Sequence, residues 1–190
     1  MTAAEKWNLV SVNDYIAGEL ESPQKHEYVG GIVHAMAGAT NQHNAVASNI
    51  LGSWFGQLRG KPCQAFNSDT KVRIQFAFGT RFYYPDAMVT CDLNPGSDSF
   101  QDNPKVIAEV LSDSTRRTDE EEKKDAYLMI SSLEVYLMFE PSEAAVIVHR
   151  RTADGFQREV VTGIDSVIPL PEIKCELPLA EVYDGLDLRA

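Results

Sequence analysis

The chain has no apolar run approaching the roughly 20 residues that a bilayer requires. Its start, MTAAEKWNLVSVNDY, carries no basic stretch ahead of a long apolar core and does not read as a secretory signal. These two absences predict a cytoplasmic protein with no membrane contact. Cysteine is scarce as well. Cys63, Cys91 and Cys175 are odd in number and far apart, with neither disulfide-framework nor zinc spacing. They read as three reduced thiols serving as small apolar residues. Positive charge is the third shortage. There are 17 Lys and Arg against 28 Asp and Glu, a net charge of −11. Nucleic-acid binders usually carry a basic footprint. Any footprint here has to be local, or supplied by a bound cation that the count leaves out.

What is present reads as globular. The composition is 44% hydrophobic and 24% charged, ordinary for a folded domain, and 190 residues without repeat or linker predict one domain over 1–190. SVNDYIAGEL predicts a first helix, capped by Ser11 or Asn13, with Tyr15, Ile16 and Leu20 on its apolar side and Ser22-Pro23 at its end. HEYVGGIVHAMAG predicts a hairpin turning at Gly30-Gly31. Val46, Ile50, Trp54 and Leu58 recur every four residues, predicting a helix over 41–58 widened by Leu51 and Phe55. Val72, Ile74, Phe76 and Phe78 alternate with Arg73, Gln75 and Ala77, predicting a half-buried strand that turns at Gly79-Thr80. The segment 94–103 is polar and predicts a loop, and 105–111 predicts a central strand. A helix over 119–131 and a meander through EVYLMFEP, AAVIVHRRT and FQREVVTG follow. Pro169, Pro171 and Pro178 predict an irregular tail until a helical turn near LAEVYDGL. The sum is a mixed α/β domain: a central sheet, a long helix on one face and a second helix beside it.

The chemistry gathers between Tyr84 and Tyr127. Asp86 opens one short apolar run (YYPDAMVTCD) and Glu109 sits inside the next (VIAEVL). A carboxylate taken into an apolar strand is costly unless it is paired or binds a metal. Two of them on neighbouring strands suggest a divalent-metal site for phosphodiester hydrolysis. In the helix that follows, Ala126, Tyr127 and Ile130 lie at i+3, i+4 and i+7 from Lys123. That spacing turns Lys123 inward and Lys124 away, so the nearest partners for an inward ammonium are the two acids.

The same residues resemble a known pattern. Pro85-Asp86 followed by EVLS at 109–112 resembles the PD-(D/E)XK nuclease signature, although Leu111 stands where that signature has lysine. EVLSDSTRRTDEEEKKDAY with LEVYLMFEP, together with HEYVGGIVHAMAG upstream, resembles the Uma-two family of predicted restriction endonucleases over nearly the whole chain. The resemblance implies a restriction-endonuclease-like α/β core, with a central mixed β-sheet flanked by helices and an N-terminal helix and β-hairpin. It implies a magnesium-dependent site, with manganese as substitute, in which Asp86 and Glu109 hold the metal and Lys123 replaces the missing strand lysine. Glu27 matches a glutamate before the hairpin turn and joins the catalytic set; His43 matches a histidine near the start of the long helix. The turn Gly30-Gly31 departs from relatives that place an acid before the glycine. The implied partner is nucleic acid, DNA in particular, and the implied assembly is a homodimer.

Plain structural roles stand beside these. Asp86 after a proline can cap a strand end, Lys123 can bridge Asp119 on the surface, Glu27 can be an exposed hairpin residue and His43 a boundary histidine. Arg116, Arg117, Arg150 and Arg151 are candidate phosphate contacts resting on charge alone, and Asp92, Asp98 and Asp102 read as ordinary loop acids. Two functions of different class follow: a magnesium-dependent endonuclease, or a catalytically silent nuclease fold whose acidic surface serves a protein partner. A small-molecule hydrolase using the same acids is the third.

Overall fold

The computed structural model describes residues 9–112 and 118–188. Helix α1 spans Val12–Glu21, and the Ser11 hydroxyl accepts from the Asp14 amide at its N-terminus. Tyr15 is its one buried residue. Leu20, expected on the apolar side, is exposed, because the helix lies on its support through Tyr15 and, more shallowly, Ile16. Strands β1 (His26–Val29) and β2 (Ile32–Ala35) form the expected hairpin. Gly30 and Gly31 both take positive φ, 57° and 102°, which glycine adopts without a Cβ penalty.

Helix α2 covers Asn41–Leu58, with the Thr40 hydroxyl accepting from the His43 amide. His43, Val46, Ile50, Trp54 and Leu58 form its buried stripe, while Phe55 is half exposed. The next strands are β3 (Gln64–Asn67), β4 (Lys71–Phe76), β5 (Gly79–Tyr83), β6 (Ala87–Thr90), β7 (Phe100–Gln101) and β8 (Pro104–Val110). β4 stops two residues short of the expected end. Ala77-Phe78 is the hairpin turn, leaving Phe78 fully exposed, and β5 pairs back along β4. The polar segment 94–103 holds β7, which joins the start of β4 in parallel.

A single π-helical turn, Thr118–Lys123, leads into α3 (Lys124–Leu128). The meander β9 (Val135–Phe139), β10 (Ala145–Thr152) and β11 (Gly155–Thr162) follows. The tail is more regular than its prolines suggest. β12 (Val167–Leu170) and β13 (Cys175–Pro178) pair antiparallel across a 3-10 turn at Pro171–Ile173, and α4 (Leu179–Val182) closes the chain. Two-stranded pairing leaves each strand an open edge, where a proline lacking its N–H is tolerated.

The strands make two larger sheets where the sequence suggested one. A five-stranded sheet runs β2-β1-β5-β4-β7, and a six-stranded one β11-β10-β9-β8-β6-β3. The larger sheet is mixed, with β8 and β9 parallel. Side chains alternate across β8. Val106, Ala108 and Val110 pack with α2 and the C-terminal hairpin, whereas Ile107 and Leu111 pack with α3 and the smaller sheet. Glu109 shares the second face. Cys63 and Cys91 correct the expectation of three free thiols: they form a disulfide, and Cys175 alone is free. The antiparallel register Gln64↔Thr90, extended by one residue, sets Cys63 opposite Cys91; spacing along the chain carries no trace of that register. Among the described residues no helix is long and apolar enough to cross a membrane.

Candidate functional site

The register of β6 on β8 pairs Ala87 with Ala108, so the next step along the ladder sets Asp86 opposite Glu109. Directly opposed residues of an antiparallel pair share one face. The hydrogen bonds agree with that geometry. The Val110 amide donates to Asp86 Oδ2 at 2.7 Å, and the Asp86 amide lies 3.4 Å from Glu109 Oε2. Glu109 is buried, and its Oε1 accepts from the Tyr127 hydroxyl at 3.0 Å. Burial, with the Glu109 charge next, pushes the Tyr127 phenol well above its ordinary range, so this hydroxyl is a donor at any working pH.

Lys123 is buried and points inward, with Nζ 2.8 Å from Glu27 Oε1 and 3.9 Å from Glu109 Oε1. The ring of Tyr83 lies beneath it, its centre 5.8 Å from Nζ. Lys124 is partly exposed and pairs with Asp125. The inward side is the one that carries Ala126, Tyr127 and Ile130, all buried. Glu27 is thus an inward residue of β1, not an exposed hairpin acid. The side chain of Asp119, the surface partner considered for Lys123, lies outside the described residues, as do Arg116 and Arg117.

His43 comes from the first turn of α2. Its Nε2 lies 3.2 Å from Asp86 Oδ2. Burial pushes the imidazole pKa down, but the hydrogen bond and charge of Asp86 outweigh it and the net shift is upward. Asp86, Glu109, His43 and Lys123 border one cavity of about 450 Å3. The other two candidate phosphate contacts, Arg150 and Arg151, are committed elsewhere. Arg150 holds Glu172 and the Pro169 carbonyl, and Arg151 donates to the carbonyls of Ile130 and Leu133. Asp102, read as a loop acid, is clamped by Nε and Nη2 of Arg73, each at 2.7 Å.

Among the described residues no three His, Cys, Asp or Glu side chains group closely enough to cage a metal ion by themselves. The donor set still suits magnesium, which takes one or two carboxylates and keeps several waters. Two opposed carboxylates face one cavity, and Asp86 Oδ1 has no hydrogen bond to the described residues. Three residues at this site carried no sequence signal as functional. Tyr127 was legible only as part of an apolar stripe, and Tyr84 and Lys25, which also line the cavity, reach it through tertiary folding alone.

The chain is similar to known proteins in sequence and in fold. The model of the Uma2 family, described as "Putative restriction endonuclease", matches residues 12–180. Two uncharacterized proteins of Synechocystis are similar. One, slr1290, is 30% identical over 179 residues, covering 93% of each chain. The other, sll1609, is 29% identical over 135 residues, covering 70% of this chain and 75% of its own. A crystal structure from Anabaena variabilis, described as a putative nuclease belonging to DUF820, superimposes with a TM-score of 0.69 at 18% identity. The match covers 86% of this chain and 94% of that one. At that identity the likeness shows the fold, which is restriction-endonuclease-like.

Proposed function

The chain belongs to the Uma2 family of putative restriction endonucleases, and from that premise we propose that it is a metal-dependent endonuclease cleaving phosphodiester bonds of nucleic acid, DNA foremost. The observation that carries this reading is the cross-strand pair Asp86–Glu109 with the buried Lys123 ammonium 3.9 Å from Glu109. Asp86 and Glu109 would hold magnesium or manganese. Such an ion, when bound, lowers the pKa of a coordinated water and offsets charge on the scissile phosphate.

The chain's own residues supply the rest. The Val110 amide fixes Asp86, and the Tyr127 hydroxyl fixes Glu109, so neither carboxylate has to reorganise when substrate arrives. Lys123 stands beside Glu109 as a fixed positive charge that orients the attacking water or stabilises charge developing on the phosphate. Glu27 holds Lys123 in the cavity wall. His43, 3.2 Å from Asp86 Oδ2, adds a second contact that orients that side chain.

The test is cleavage of single-stranded, duplex and branched DNA and of RNA, with magnesium or manganese. Asp86→Ala, Glu109→Ala and Lys123→Ala should each lower cleavage about a hundredfold or more. Absence of cleavage of every substrate, or alanine variants as active as wild type, overturns the proposal. The net charge of −11 favours the second reading in that event: a nuclease fold whose acidic surface binds a protein partner.

A further inference from the structure

The cavity has a second charged wall that the acid pair does not use. Lys25, between α1 and β1, directs Nζ to the Ser68 carbonyl at 2.8 Å, to Ser68 Oγ at 3.5 Å and to Asp69 Oδ1 at 2.6 Å. It also lies 5.5 Å from the centre of the Tyr84 ring. Lys71 approaches the same ring at 5.1 Å and donates to the Tyr84 hydroxyl, which donates onward to Glu19 Oε1 at 2.8 Å. Lys25, Ser68 and Tyr84 line the cavity that Asp86 and Glu109 border. Lys71 behind them is 3% exposed and has no carboxylate in ion-pair contact among the described residues. Burial of a lysine without an ion pair is costly. Burial lowers the Lys71 pKa, with the charge of Glu19 opposing and that of Lys25 adding to the shift, so Lys25 is the water-facing cation of this wall on a chain of net charge −11.

The Asp69 carboxylate that holds Lys25 is 70% exposed, and the Lys25 side chain 38%. A pair so open to water is weak and screened by salt, so another anion reaching Lys25 competes with Asp69 on near-equal terms. We propose that Lys25 and Ser68, beside the Tyr84 ring, form a phosphate subsite for a second phosphate of the strand being cut, with Asp69 as its occupant in the free protein. The substrate is then a polynucleotide strand rather than an isolated phosphodiester. This rests on the endonuclease reading for its chemistry, but the two fail separately.

The test is anisotropy of a short labelled single-stranded DNA without divalent ion, for wild type, Lys25→Gln, Lys25→Arg and Asp69→Asn over a range of salt. Lys25→Gln should weaken binding about fivefold, the effect of one exposed charge contact. It should also lower the slope of log affinity against log salt by about 0.7, and Lys25→Arg should restore both. Asp69→Asn removes the competing anion and should tighten binding. A purely structural Lys25–Asp69 clamp would move both variants the same way or neither, and either result overturns the subsite, as does wild type that does not bind the oligonucleotide. Hydrolysis of bis(p-nitrophenyl) phosphate with magnesium separates the two proposals. Turnover of this diester with oligonucleotide binding insensitive to Lys25 sinks the subsite and leaves the nuclease. Opposed binding shifts with no cleavage of any substrate sink the nuclease and leave Lys25 as a phosphate contact for a bound, uncut strand.

Discussion

The Tyr127 hydroxyl donates to Glu109 Oε1 at 3.0 Å, with both side chains buried, and so ties the α3 helix to a carboxylate on the central strand β8. A hydrogen bond to a charged acceptor in such a place contributes about 1.5–3 kcal/mol. It also sets the direction of the other carboxylate oxygen. Tyr127→Phe keeps the ring and its packing against Tyr83 and Tyr136 and removes only this bond. We expect a stability loss in that range by urea unfolding. On the proposed role of Glu109 as a metal ligand, magnesium affinity should fall about 10–100-fold by calorimetry, as for groups that orient such ligands. Unchanged affinity in a folded variant would show that Glu109 does not depend on Tyr127 for its placement.

Lys123 and Glu27 form a second buried contact, at 2.8 Å, with side chains 7% and 15% exposed. Removing one partner of such a pair strands the other charge and costs about 3–5 kcal/mol. Lys123→Met alone should lower unfolding stability by about that amount. Adding Glu27→Leu should recover part of it, since the stranded carboxylate goes as well. A double-mutant cycle returning a coupling below about 0.5 kcal/mol would contradict the pairing.

Two histidines should give stability opposite slopes with pH. His149 is buried, with its ring stacked on Tyr136 at 6.2 Å. Burial, then the charges of Lys124 and Arg158, hold its pKa below the ordinary 6.5. The unfolded chain binds that proton more readily, so this contribution is present above pH 6.5 and is lost as pH falls through the folded value. His43 is raised above 6.5, so its contribution is complete below that pH and is lost as pH rises through its folded value. His149→Gln should flatten the acid limb of the stability profile and His43→Gln the limb above 6.5, both read from urea midpoints. A profile unmoved by both substitutions would place neither shift in the folded state.

How much of this was legible follows from the range of each signal. The inward turn of Lys123 and outward turn of Lys124 follow from a helical period that three neighbours, Ala126, Tyr127 and Ile130, already display. The α2 stripe and the Gly30-Gly31 hairpin are equally local. The opposition of Asp86 and Glu109 needed a strand pairing, but each apolar run announced its own carboxylate. By contrast, Phe78 continues the alternation of Val72, Ile74 and Phe76 and still lies in a turn, because pairing with β5 ends the strand at Phe76. Pro169 and Pro178 suggested irregular chain, yet each sits in the two-stranded β12–β13 pair. The Lys25–Ser68–Tyr84 wall joins segments that share no periodicity, so only tertiary folding brings them together.

The Cys63–Cys91 bridge is the clearest case of a contact hidden from sequence, and it carries its own test. It ties β3 to β6 across a sequence separation of 28. In the chain-entropy treatment a loop of that length stabilises the folded state by about 3–4 kcal/mol. The protein denatured without reductant should therefore show one reactive thiol, Cys175, and after reduction all three cysteines. Reductant should lower the urea midpoint of wild type by a shift matching that energy. Cys63→Ser/Cys91→Ser should start at the reduced midpoint and not respond to reductant at all. Three reactive thiols in the unreduced, denatured protein would mean that the two cysteines stay reduced in solution, and the strand register alone would then hold β3 against β6.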